Sequence, residues 1–236
     1  MPDGQLNLTN QKLKTPRAAA LAGILFTVLF TSTVVLLRLS VPADPADAGT
    51  WLRERAGTVS LALSLLPFAG IAFLWFIGVV RDRLGHLEDQ FFSTVFFGSG
   101  LLFLAMTFVS AALAGGIVAT YALEHSRFID SGMYTLIRAV MYRVTNVYAI
   151  KMAGVFMISL GTISVRTQVM PRWLAILTYA LALVLLVSIS SNLWMTLIFP
   201  GWVCVVSVYI LIGNLRSPSA SLQSSAASSM PPSGGH

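Results

Sequence analysis

Six apolar runs set the limits on what this chain can fold into. They fall near residues 18–37, 58–80, 92–122, 147–165, 173–190 and 194–213. At 1.5 Å rise per residue, about 20 helical residues cross a ~30 Å hydrocarbon core. Each run is therefore read as a membrane span. The third is long for one crossing and implies tilt or protrusion. A transmembrane β-barrel is excluded, because barrel strands alternate apolar and polar residues. Runs such as Leu101 to Met106 do not alternate.

Composition supports this reading. Hydrophobic residues make up 56% of the 236 positions and charged residues only 10%, against about 25% charged in a soluble domain. Mean hydropathy is +0.79. A soluble globular enzyme, a disordered chain and a nucleic-acid-binding domain are all excluded. The net charge is +6, but the cations are scattered singly and in pairs at the ends of apolar runs. They read as charges that orient the protein in a bilayer. The single cysteine, Cys204, lies in an apolar run and forms neither an intrachain disulfide nor a Cys-based metal site.

The run Ala18 to Leu37 is longer than the 7–15 apolar residues of a signal peptide, so it reads as an uncleaved first span. With the N-terminus in the cytoplasm, Lys12, Lys14, Arg17, Arg81, Arg83, Arg166, Arg172 and Arg216 lie inside. Arg38, Arg53, Arg55, Arg127, Arg138 and Arg143 lie outside. The cations closest to helix ends, Arg81, Arg83, Arg166 and Arg172, flank inner loops, where orienting charge acts most strongly. Both termini are expected to be cytoplasmic in a bacterial plasma membrane.

The connection between spans two and three carries matching helix-end signals. Arg81 and Arg83 occupy a last turn, Gly85 closes it, and Glu88 and Asp89 fall in the next first turn. Pro171 opens span five, and Pro200-Gly201 predicts a kink in span six. The outer loop 39–57 begins with a turn around Pro42 and Pro45. It ends in a short helix at Trp51-Leu52-Arg53-Glu54-Arg55 that leads into span two, with Trp51 near the interface. Three regions follow: a cytoplasmic segment 1–17, a six-span domain 18–215, and a Ser/Ala/Pro/Gly-rich tail 216–236 that reads as disordered.

The stretch 130–166 is the most informative. Met133, Leu136, Ile137, Val140, Met141 and Val144 form an apolar helical stripe. Tyr134, Arg138, Tyr142, Arg143 and Asn146 occupy other faces, and Asp130 and Ser131 are N-cap candidates. No Gly or Pro interrupts Met133 to Ala153, so one long helix is expected. Its first half either projects beyond the bilayer or lies flat in the interface with a bend near Asn146. Lys151 falls eighteen residues after Met133, five full turns on a regular helix, and thus on the same face as the stripe. It is the one ionisable residue well inside a span. Its ammonium either snorkels to the outer headgroups or contacts a ligand. Glu124 and His125 are the nearest candidate partners, and Asn146 joins Lys151 and these two as a ligand-site candidate. The overall expectation is an all-α, integral membrane six-helix bundle with one long helix projecting outside and a disordered C-terminal tail.

Other chemistry is sparse. No carboxylate lies in a span, which argues against an ion-coupled pump. Ser99, Thr107 and Ser110 share one side of span three and read as helix-packing hydroxyls rather than a pore. Ala19/Gly23, Ala111/Gly115 and Ala112/Gly116 mark close-packing faces. His86, Glu88 and Asp89 read as a solvated helix cap rather than a metal site. No nucleotide-binding loop, zinc-protease, nucleophile-elbow or dithiol motif is present. No catalytic residue, metal or cofactor is expected. The partners expected are the lipid bilayer and a membrane protein partner or a second copy of the chain, with no nucleic acid.

The segment Leu74-Trp75-Phe76-Ile77-Gly78-Val79-Val80-Arg81-Asp82-Arg83-Leu84-Gly85 resembles a group of uncharacterised multi-pass proteins of actinobacteria. Pro171-Arg172-Trp173-Leu174 and Ala22-Gly23-Ile24-Leu25 resemble a broader bacterial membrane family. The resemblance covers about residues 15–215. It implies a helical membrane protein and transfers no activity and no site residues. The first functional expectation is thus a non-enzymatic membrane component or accessory subunit. The second is a small-solute or lipid transporter with a site between spans three and four near Lys151. A membrane enzyme is the third.

Overall fold

The computed structural model describes residues 4–42, 51–84, 90–123, 132–167, 171–188 and 193–216, all built on helices. They are α1 (Gly4–Ser40), α2 (Trp51–Glu54), α3 (Ala56–Leu84), α4 (Gln90–Leu123), α5 (Met133–Arg143), α6 (Ile150–Arg166), α7 (Arg172–Val187) and α8 (Leu193–Arg216). A π-helical segment, Val144–Ala149, joins α5 to α6 without a break. The expected turn and helix-cap residues Gly85, His86, Glu88 and Asp89 lie outside the described residues. So do Glu124, His125, the cap candidates Asp130 and Ser131, and the tail from residue 217.

Five helical stretches are long and apolar enough to cross a membrane: Ala18–Ser40, Ala56–Arg81, Phe91–Leu123, Met133–Arg166 and Met195–Ile212. The expected span five is shorter than anticipated. Helix α7 has 16 residues, about 24 Å. It ends where Ser188 turns to extended backbone (φ −63°, ψ 125°). The chain is thus an all-helical, multi-pass membrane protein with five helices of full spanning length among the described residues.

Neighbouring helices run antiparallel, as contacts between their ends show. The Arg81 guanidinium lies 5.0 Å from the Phe97 ring centre and Arg166 4.8 Å from that of Phe92. These contacts set the ends of α3 and α6 against the start of α4. Thr162 bonds Tyr179 at 2.9 Å between α6 and α7. Helix α1 packs on α3 and α8, while α6 sits between α4 and α7.

The two groups meet in an aromatic core. Phe73 has ring centres of Phe26, Phe103, Phe156 and Phe199 between 4.7 and 5.6 Å away. Such ring pairs add about 0.5–1.5 kcal/mol each beyond burial. Glycines allow the close approach. A Cβ on Gly23 would strike the Ser207 hydroxyl, one on Gly100 would come within 2.7 Å of Ile77, and one on Gly154 within 3.0 Å of Leu186. Of the expected small-residue pairs, Ala19/Gly23 marks such a contact. Gly116 meets nothing within 4 Å.

The outward surface is apolar. Phe68, Trp75, Ile176 and Val187 are each more than 60% exposed. In water such a face would drive aggregation, whereas lipid tails solvate it without cost. Several buried polar side chains find partners, whereas the Ser40 and Ser207 hydroxyls and Arg138 Nε have none. Thr178 is fully buried, donates to the Leu174 carbonyl at 2.8 Å, and accepts from Trp202 Nε1 at 2.9 Å. Thr178→Val keeps the shape and orphans the buried indole N–H. It is expected to lower unfolding free energy in detergent by about 1–3 kcal/mol, readable as a reduced midpoint in a denaturant titration. An unchanged midpoint would show that Trp202 finds another acceptor.

Candidate functional site: a cavity lined by buried arginine

A second, smaller core lies at the end of the bundle opposite Arg81 and Arg166. Trp51, Leu52, Val59, Ile117, Tyr121 and Tyr134 are buried there together. The expected short helix forms as α2, and it places Trp51 inside this core, where Trp51 Nε1 donates to Tyr134 Oη at 3.1 Å. Tyr134 Oη also accepts from Arg138 Nη1 at 3.0 Å, and Arg138 Nη2 donates to the Pro42 carbonyl at 2.6 Å. One guanidinium therefore ties α5 to the segment after α1, and one phenol ties α2 to α5.

Only the outer edge of the apolar stripe on α5 faces away from this core, since Ile137 packs against it and Met141 and Val144 are half-buried. Met133, Leu136 and Val140 are exposed, while Tyr134 and Arg138 are buried. The inward face is Tyr134, Arg138 and Tyr142, spaced by four residues, with the guanidinium 5.8 and 5.9 Å from the two ring centres. The inversion follows from the solvent. Lipid accepts Met133, Leu136 and Val140, and polar groups must turn inward to find partners. Helix α5 packs along α4 rather than standing alone. Ser110 on α4 pairs with Thr145 at 2.6 Å and lies 3.4 Å from the Met141 carbonyl. The widened π turn holds one more residue than an α turn, about 100° of lag. Lys151 is therefore rotated away from the line of Met133.

Between these elements lies a cavity of about 170 Å³. An engineered apolar cavity of ~150 Å³ already admits benzene. Its floor is aromatic, from Phe30, Phe103 and Phe199. Its polar lining is Arg38 and Thr33 from α1, Thr107 and Ser110 from α4, Arg138 and Tyr142 from α5, and Thr145 and Asn146 from the π segment, with Thr196 from α8. Among the described residues no carboxylate, histidine or cysteine lines it. Among the described residues no three His, Cys, Asp or Glu side chains come together.

The sequence-derived candidates are distributed unevenly around this site. Asn146 lines the cavity. Lys151 is half-buried beside the lining residue Ile150 and is not itself among the described lining residues. Glu124 and His125 lie outside the described residues. Arg138 and Arg38, read from sequence as orienting charges, are the cations that reach the cavity. The four-residue spacing of Tyr134, Arg138 and Tyr142 was the signal for the first of them. Of the hydroxyls expected to pack helices, Ser99 bonds back to Val95 at 2.7 Å, while Thr107 and Ser110 also line the cavity.

No family model matches the chain, and neither a curated protein nor a solved structure is significantly similar to it. The site is therefore interpreted from its own geometry. Tyr134→Phe removes the acceptor shared by Trp51 and Arg138. It is expected to destabilise the protein by about 1–3 kcal/mol, whereas Lys151→Met should leave the melting temperature unchanged or slightly raised. A drop for Lys151→Met as large as that for Tyr134→Phe would place Lys151 in a buried polar site of its own.

Proposed function

We propose that this protein is a six-pass, non-enzymatic membrane protein that takes a small solute or lipid into the cavity beside α5 and the π segment, as a carrier or receptor. The observation that carries the reading is the cavity itself, an apolar chamber with arginine, hydroxyl and amide groups at one side. This is the usual make-up of a small-molecule site: apolar walls and a few converging polar groups. In this reading α7 completes a sixth crossing, and both termini are cytoplasmic. The cations Arg81, Arg166 and Arg172 support that orientation, since they cluster at the end opposite the cavity. The cavity then lies in the outer half of the membrane.

Filling the chamber tests the binding reading. Octanol and octanoate serve as probes, with melting temperature in a neutral detergent as the readout. At least one of them should stabilise the full chain, and Ala111→Phe, which places a ring in the lining, should abolish the shift while the variant still folds. No shift with either probe sinks the reading. The orientation is checked separately. Reporter fusions after Gly85 and after His236 should both read cytoplasmic, and a periplasmic result at either removes the proposed topology.

A further inference from the structure

We infer that the cavity's ligand is an anionic amphiphile whose oxyanion, a carboxylate or a phosphate, is held by Arg138 with Arg38 as the second cation. This rests on the binding reading above and deepens it. Arg138 is only 3% exposed, and a guanidinium keeps its charge at any ordinary pH. Buried charge carries a large desolvation penalty unless an opposite charge answers it. Here the partners are neutral, the Tyr134 hydroxyl and the Pro42 carbonyl. The buried Nε has no hydrogen-bond partner. Among the described residues no carboxylate pairs with Arg138 or with the half-buried Arg38. Two cations thus face one apolar chamber with no counter-ion among the described residues.

The remaining polar groups also favour an acceptor-rich guest. Thr33 and Thr107 spend their protons on the carbonyls of Leu29 and Phe103. Ser110 and Thr145 are engaged with each other. The donors still available beside the arginines are the Tyr142 and Thr196 hydroxyls and the Asn146 amide. An oxyanion is the group that accepts from a guanidinium and such donors together. The guest's body would lie on Phe30, Phe103 and Phe199. A chamber of about 170 Å³ encloses a ring or a short chain, or the head and first carbons of a longer lipid.

The test compares octanoate with octanol, equal in length and different in charge, on the full chain in neutral detergent. Octanoate should bind at least about tenfold more tightly. Arg138→Gln should weaken octanoate by about ten- to a hundredfold, the worth of a hydrogen bond to a charged group, and leave octanol unchanged. Arg38→Gln should weaken octanoate less, and Arg143→Gln, on an exposed position, not at all. If Arg138→Gln fails to fold, the octanoate-to-octanol ratio and Arg38→Gln still decide. Octyl phosphate and vesicles of phosphatidylglycerol or phosphatidylcholine separate the sources. Retention of phosphatidylglycerol over phosphatidylcholine, with octanoate competing it off, assigns the oxyanion to a lipid head. Octanoate binding without lipid competition assigns it to a free acid. Equal binding of octanoate and octanol, insensitive to both arginines, overturns the oxyanion and leaves the cavity reading intact. Binding of neither probe, with Ala111→Phe without effect, removes both.

Discussion

Hydrocarbon offers no hydrogen bonds, and the rest of this structure follows from that deficit. Every backbone group within a span must be satisfied internally, which only the helix achieves for a single segment. The same rule governs the side chains. Thr27, Thr33, Thr107, Ser159, Thr162 and Thr178 each return their hydroxyl to the carbonyl four residues earlier. A residue that costs an aqueous helix stability is thereby made neutral inside lipid. Where a second partner exists, the hydroxyl also fastens helices together. Thr27 reaches the Pro200 carbonyl at 3.1 Å, in the helix where proline has removed a backbone donor.

Packing divides the bundle into two regions of different character. The end that carries Arg81 and Arg166, together with the middle, is filled by interlocking rings and glycine contacts, with Phe156 and Trp202 fully buried. The end that carries Arg138 is filled less completely and holds the buried guanidinium. The π segment lies at the boundary. An i→i+5 turn is less regular than the α turns around it, and such turns recur at functional sites. Here it widens the helix where Thr145 and Asn146 line the cavity, and it resets the faces of everything after it. A chamber lined by two cations that no described carboxylate answers is poor construction for stability alone. It is good construction for holding an anion in a medium of low dielectric.

Much of the architecture was legible in particular residues. The apolar runs gave the helices, the cation pairs marked helix ends, and Trp51 to Glu54 were readable as a short helix. The stripe on α5 was legible as helical but misleading as to side for Met133, Leu136 and Val140, which are exposed. Periodicity reveals that one face is apolar and is silent about whether that face meets core or lipid. In water the apolar face turns inward. In a bilayer it is free to turn outward, and the polar face of Tyr134, Arg138 and Tyr142 turns in.

The sequence by itself determined the class of solvent, the helical state of the chain and the approximate position of each span, because these depend on length and composition along a single segment. Only the tertiary structure decided which charge is buried. Lys151 drew notice for its depth in a span, and Arg138 was passed over as an outer-loop cation. The difference lies in contacts between segments distant in sequence. Pro42 and Tyr134 meet one guanidinium across 96 and 4 positions of chain. The π turn, which no local residue pattern announced, sets the azimuth of Lys151 relative to the stripe. Burial and hydrogen bonding are properties of the assembled bundle, and no periodicity within one helix encodes them.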